Sequence, residues 1–170
     1  MTIEDIRIEI EDIAKDGANQ PSPISEISVA DGLLTMIVSD RGQVYRITVE
    51  DLDDGYYACE TSPEWFTISE AHINAVRDYI DKVSRINKKN HVHLIVDDNR
   101  RLVQSHEVSQ DSEYLIWEIF RGYGAFIRGI AANIEDINGG RTPRYPQITT
   151  TEKDSGTYIS QFNKGDGMYR

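Results

Sequence analysis

The sequence predicts an α+β fold in a single domain: a helix, three antiparallel strands, a second helix, a two-strand hairpin and a long C-terminal helix. Three observations carry this expectation. Apolar residues alternate with polar ones from Gln43 to Val49, where Tyr45, Ile47 and Val49 share a phase, and alternate again from His91 to Val96. They recur at helical spacing in Ile73, Val76, Ile80 and Val83, and in Ile116, Ile119, Phe120, Tyr123, Phe126, Ile127, Ile130 and Ile134. Asp31-Gly32 and Asp40-Arg41-Gly42 punctuate the strand runs with residues that tolerate a positive φ.

The elements follow in order. Ile3, Ile6, Ile10 and Ile13 keep helical spacing, although Ile6, Ile8 and Ile10 also alternate as a strand would. Helix is the favoured reading, because Thr2 can cap it and Asp5 completes a capping-box spacing. Gly17 stops this helix, and Pro21 and Pro23 mark a linker. Ile27 to Val29 gives a short strand signal before the Asp31-Gly32 turn. The three expected strands are then Leu33 to Ser39, Gln43 to Val49 and, after the acidic turn Asp51 to Gly55, Tyr56 to Glu60. Thr67 or Ser69 caps the second helix, which ends at Asn87 to Asn90. His91 to Val96, the turn Asp97 to Arg100, and Leu102 to Val108 form the second hairpin. The last helix is expected to run unbroken from Asp111 or Ser112 to Ile137, with Asn138-Gly139-Gly140 as its C-cap. Gly122, Gly124 and Gly129 inside it each cost about 1 kcal/mol against alanine, which points to close packing. About five strands would then be covered by helices on one face and left uncovered on the other.

Charge divides the chain unevenly. Residues 1–140 carry 26 acidic against 13 basic side chains, whereas residues 141–170 carry 3 against 5. An acidic domain over 1–140 and a mildly basic extension over 141–170 are the expected organisation. The net charge of -11 repels nucleic-acid phosphates and anionic membranes, and no basic recognition helix is present. The N-terminus is acidic where a secretory signal would be basic and then apolar, and the apolar runs are too short for a membrane span. With a single cysteine, Cys59, the default expectation is a reducing, cytoplasmic setting and no disulfide framework.

Candidates for chemistry are few. His91 and His93 share one strand face, and a turn at 99–100 would bring His106 opposite or diagonal to His93; three imidazoles on one face could bind a transition metal. Against this, Val92, Leu94 and Val96 form the core phase, so the histidines read first as solvated surface groups. The carboxylate pairs Asp53-Asp54, Asp97-Asp98 and Glu135-Asp136 read as turn and surface groups before they read as a catalytic dyad. Asp51 to Cys59 lacks the ligand alternation of a calcium loop, and no phosphate-cradling loop or nucleophile elbow occurs. No cofactor is implied. Aromatic residues in polar surroundings are the candidates for a protein interface: Tyr57, Trp65, Phe66, Trp117 and Tyr123.

One stretch carries a family resemblance. Asn87 and Asn90 at a helix end, the strand to Val96, the acidic turn and the strand opening Arg101-Leu102-Val103 together resemble the YbjN family and the type III secretion chaperone fold it shares. Asn99-Arg100 stands where a glycine-containing turn is common in that family. The resemblance implies a small acidic dimer. Chaperones of this fold hold an extended stretch of a client along apolar patches, and YbjN-like proteins are described as regulators. The expected function is therefore a non-enzymatic, chaperone-like or regulatory protein-binding module, acting as a homodimer on a protein or peptide client. A metal-dependent enzyme or metal-binding protein using His91, His93 and His106 is the alternative.

Overall fold

The computed structural model describes residues 1–16, 23–86 and 93–143. The class is α+β, with six strands in one antiparallel sheet of order β1-β2-β3-β4-β6-β5. Strands β1 (Ile24–Ala30), β2 (Leu33–Asp40), β3 (Gln43–Asp51) and β4 (Tyr56–Pro63) form a meander; β5 (His93–Val96) and β6 (Leu102–Ser109) form a hairpin whose second strand joins β4. Helices α1 (Ile3–Lys15), α2 (Ile73–Ile86), α3 (Leu115–Ile119) and α4 (Ala125–Asn138) complete the chain order.

Turn chemistry sets the register. Asp31-Gly32 has φ of 51 and 76°, and Arg41-Gly42 has 52 and 77°, so both two-residue turns place two consecutive residues at positive φ. That geometry matches the twist of the flanking strands, and glycine at the second position makes it cheap. The acidic turns serve their own backbone. Asp51 Oδ1 accepts from the Asp53 N–H at 2.9 Å, and Asp97 Oδ1 accepts from the N–H groups of Asn99 and Arg101 at 2.9 and 2.8 Å. Arg100 takes φ of 59° in that turn, the conformation a glycine would otherwise supply.

Two expectations about elements are corrected. Four strands, not three, precede α2, because Ile24–Ala30 pairs with β2. Its register shifts between Ser25 and Ser28, and Glu26 adopts φ of 52° there; this bulge breaks the period-two pattern by which a strand is read. The C-terminal helix is not continuous. It is divided into α3, a 3-10 turn (Phe120–Gly122) and α4, with Gly124 at φ 134° and ψ -156° between them, a backbone open essentially to glycine alone.

The caps are mixed. Thr2 and Asp5 form the expected capping box on α1, an arrangement worth about 1 kcal/mol. Ile3, Ile6 and Ile10 are buried, whereas Ile13, at the margin of the stripe in the last turn, is exposed. The α2 entry is not capped by Thr67 or Ser69 side chains. Asn138 at the end of α4 holds the segment ahead of α2, accepting from the Ser69 N–H at 2.8 Å and donating to the Thr67 carbonyl at 3.0 Å. The α4 C-cap falls at Gly139, as the Asn138-Gly139-Gly140 signal predicts.

The four helices of the described residues pack on one face of the sheet. There Leu34, Met36, Val38, Tyr45, Ile47, Val49, Tyr57 and Val108 meet Ile6, Ile10, Val76, Ile80, Ile119, Phe120, Ile127, Ile130 and Ile134 in one core. Each such aliphatic side chain contributes about 1.5–3 kcal/mol on burial. No helix among the described residues is long and apolar enough to cross a membrane. Residues 144–170, most of the basic extension, lie outside the described residues, as does His91.

Candidate functional site

The alternation that fills the core also decides what the other sheet face presents. Opposite the core phase stand Thr35 and Ile37 on β2, Arg46, Thr48 and Glu50 on β3, Ala58, Glu60 and Ser62 on β4, Val103, Ser105 and Glu107 on β6, and His93 and Ile95 on β5. Hydroxyls and charges dominate this open face. At its centre lies a depression of about 300 Å³ floored by Thr48, Ser62 and Val103. Arg46, Glu60, Glu64, Asp97, Asn99 and Arg101 wall it.

Glu64 organises one end of the depression. Its Oε1 accepts from Arg46 Nε at 2.7 Å, and its Oε2 accepts from Arg101 Nη1 at 2.9 Å. One carboxylate thus ties β3 to the β5–β6 turn across β4. Both arginines are substantially exposed, so each pair adds only about 0–1 kcal/mol to stability. The Ser62 hydroxyl donates to the Leu102 carbonyl at 2.8 Å, which ties it to β6. The arrangement offers hydrogen bonds and charge to a ligand.

The sequence-derived site residues fall elsewhere. Tyr57 and Tyr123 are buried, which corrects their reading as interface groups. The Tyr57 hydroxyl donates to the Met1 carbonyl and anchors α1. Tyr45 lies edge-on to Trp65 and to Tyr123, with ring centroids 5.2 and 5.5 Å apart, and Trp65 meets Phe66 at 5.7 Å. Trp65 Nε1 also donates to Glu135 Oε1 at 3.0 Å. Trp65 and Phe66 therefore cover the chain's own core as half-buried groups, and Trp117 is likewise half-buried. Burial pushes the Tyr45 and Tyr123 phenols up.

His93 and His106 do not converge. His93 pairs with Ser105, which puts it on the open face, while His106 pairs with Cys59 on the covered one. His106 is 5% exposed, correcting its reading as a solvated surface group. Its phase could have been read from β6, since Leu102, Gln104 and Val108 share it. Among the described residues no group of three or more His, Cys, Asp or Glu side chains is placed to hold a metal ion.

His106 belongs to a polar patch within the apolar side. Thr61 pairs with Gln104 and Cys59 with His106, so four non-aliphatic side chains adjoin on β4 and β6. His106 Nε2 lies 2.6 Å from the Glu118 carbonyl. A carbonyl only accepts, so Nε2 carries the proton and Nδ1 does not. His106 Nδ1, Thr61 Oγ1 and Gln104 Oε1 are buried without a hydrogen-bond partner. Burial, with a smaller push from the Glu118 charge, raises the Cys59 thiol to about 12. The thiol beside the imidazole is thus held protonated, and it is no activated nucleophile.

Comparison with protein-family models, curated proteins and solved structures finds no match to this chain.

Proposed function

We propose that this chain is a non-enzymatic protein-binding module, chaperone-like or regulatory, which acts as a homodimer and offers the open face of its sheet to an extended segment of a partner. The observation that carries this reading is the uncovered face itself. Five strands expose side chains there that no described helix covers, and the face is dished at its centre. Its chemistry narrows the client. A floor of Thr48 and Ser62 with carboxylates at Glu50, Glu60 and Glu107 suits a polar segment bearing lysine or arginine, not a greasy one. This departs from the apolar grip that the chaperone resemblance implies, and it keeps that family's non-catalytic role.

The dimer is supported by the sheet edge. β5 is an edge strand of the described sheet, and Ile95 on it is 45% exposed, the kind of side chain a second copy covers. Sedimentation should show a dimer that Ile95→Lys shifts to monomer; an unchanged mass would remove this interface.

The client is tested by affinity capture with quantitative mass spectrometry. Glu60→Lys with Glu107→Lys should lose the proteins retained by the native chain, while Asp78→Lys with Asp81→Lys on the outer side of α2 should keep them. Equal recovery from both variants would refute binding on the sheet.

A further inference from the structure

The polar patch under α3 is the least settled part of an otherwise apolar covered face. Its roof is short and segmented. The five residues of α3 have no side-chain N-cap at Tyr114, the 3-10 turn follows, and Tyr123 is extended before the glycine-only backbone of Gly124. The roof presses closely on the strands, since a Cβ on Gly122 would stand 2.4 Å from Thr61 Oγ1. His106 Nε2 lies 2.6 Å from the Glu118 carbonyl, a polar bond between the middle of this roof and β6.

We propose that His106 is a proton-sensitive latch: its neutral ring pins the α3 and 3-10 segment to the sheet, and gain of a proton at Nδ1 releases residues 115–124. The reason is a matter of partners. An imidazolium has two N–H donors, and Nε2 already uses the Glu118 carbonyl. Nδ1 is buried with no acceptor, so the closed form cannot satisfy the second donor. The charged groups felt by the ring are the Arg121 guanidinium and the Glu118 carboxylate, which act in opposite directions; Cys59, opposite on β4, is held neutral. Burial dominates and moves the ring below its ordinary value. With the segment lifted, the ring meets water and regains that ordinary value, about 6.5. Below it the open form binds a proton that the closed form refuses, so acid favours opening. Gly124 supplies a hinge at which the segment can part from α4, whose buried Ile127, Ile130 and Ile134 stay packed.

Cys59, the sole cysteine, reports on the latch because its fully buried thiol lies beside His106. The full chain is treated with a pyridyl disulfide, which stays reactive toward thiols in acid, while amide exchange follows the strands. Thiol labelling, corrected for intrinsic thiol reactivity, should speed up as pH falls below about 6.5, by at most about tenfold per unit and levelling once the closed-form ring itself titrates, with β2 and β3 amides still protected. His106→Gln keeps an N–H for the Glu118 carbonyl and has no proton to gain, so its corrected labelling rate should be flat. A flat native profile overturns the latch, as does an unaltered slope in His106→Gln or simultaneous loss of β2 and β3 protection. Should the variant fail to fold, ring-proton NMR of the native chain decides. Titration of His106 must coincide with the rise in labelling; titration at the ordinary value without such a rise refutes the proposal.

Discussion

The covered face of the sheet has two halves of different character. Under α1, strands β2 and β3 present Leu34, Met36, Val38, Ile47 and Val49, all without exposed surface. Under α3, strands β4 and β6 present Cys59, Thr61, Gln104 and His106, with three buried polar atoms unpartnered. The same antiparallel pairing supports both. The first half gains from every methylene it buries, whereas the second forgoes part of that gain and leaves polar groups desolvated. The first half is the drier of the two, and the opening proposed above would take place in the second.

The largest test of that contrast is Ile47→Ala. Ile47 is fully buried in the dry half, and its truncation should cost about 2–5 kcal/mol in urea denaturation. Its neighbour Thr48 faces outward, and Thr48→Ala should stay within about 0.5 kcal/mol. Similar losses from both would mean that the open face is not open. Gly122→Ala should cost about 1–3 kcal/mol, because its Cβ would meet the Thr61 hydroxyl at 2.4 Å. Adding Thr61→Ala should restore part of the loss, and strict additivity in the double mutant would contradict the contact.

The two halves should also differ in their response to pH. The folded-state pKa of His106 is lowered, so its contribution is fully present above about pH 6.5 and declines as pH falls toward the folded value. The native chain should lose urea resistance over that window relative to His106→Gln; parallel curves would exclude this residue as the cause. The smallest effect is expected of Thr61→Val. It removes an unpartnered buried hydroxyl at nearly constant shape, so stability should change by less than about 1 kcal/mol and toward the stable side. A loss of about 2 kcal/mol or more would reveal a partner for that hydroxyl.

Much of this fold was legible because period and turn chemistry agreed with each other. The α1 capping box, the two Gly-containing hairpins and the stripe of α2 each declare themselves within a few residues. What escaped depended on distant contacts. The β1 strand was obscured by its bulge, and the break in the last helix was obscured by an apolar stripe that runs across Gly122 and Gly124 unbroken. The bonds that hold Thr67 and Ser69 come from Asn138, about seventy residues away, and no local pattern announces them. The same distinction explains the candidate sites. Aromatic residues were marked for a partner by their polar neighbours in sequence, yet Tyr57 and Tyr123 are buried in the chain's own core. Glu64, between two arginines brought from β3 and the β5–β6 turn, carries no sequence motif at all.

Site-directed photocrosslinking probes the proposed binding at the open sheet face. A photoreactive side chain in place of Thr48, on the floor of the depression, is compared with one in place of Asp78 on α2. Irradiated in the native cell, the Thr48 position should yield a discrete adduct with another protein, which Glu60→Lys with Glu107→Lys abolishes. An adduct from Asp78 alone, or one at Thr48 indifferent to those charge reversals, would contradict the account.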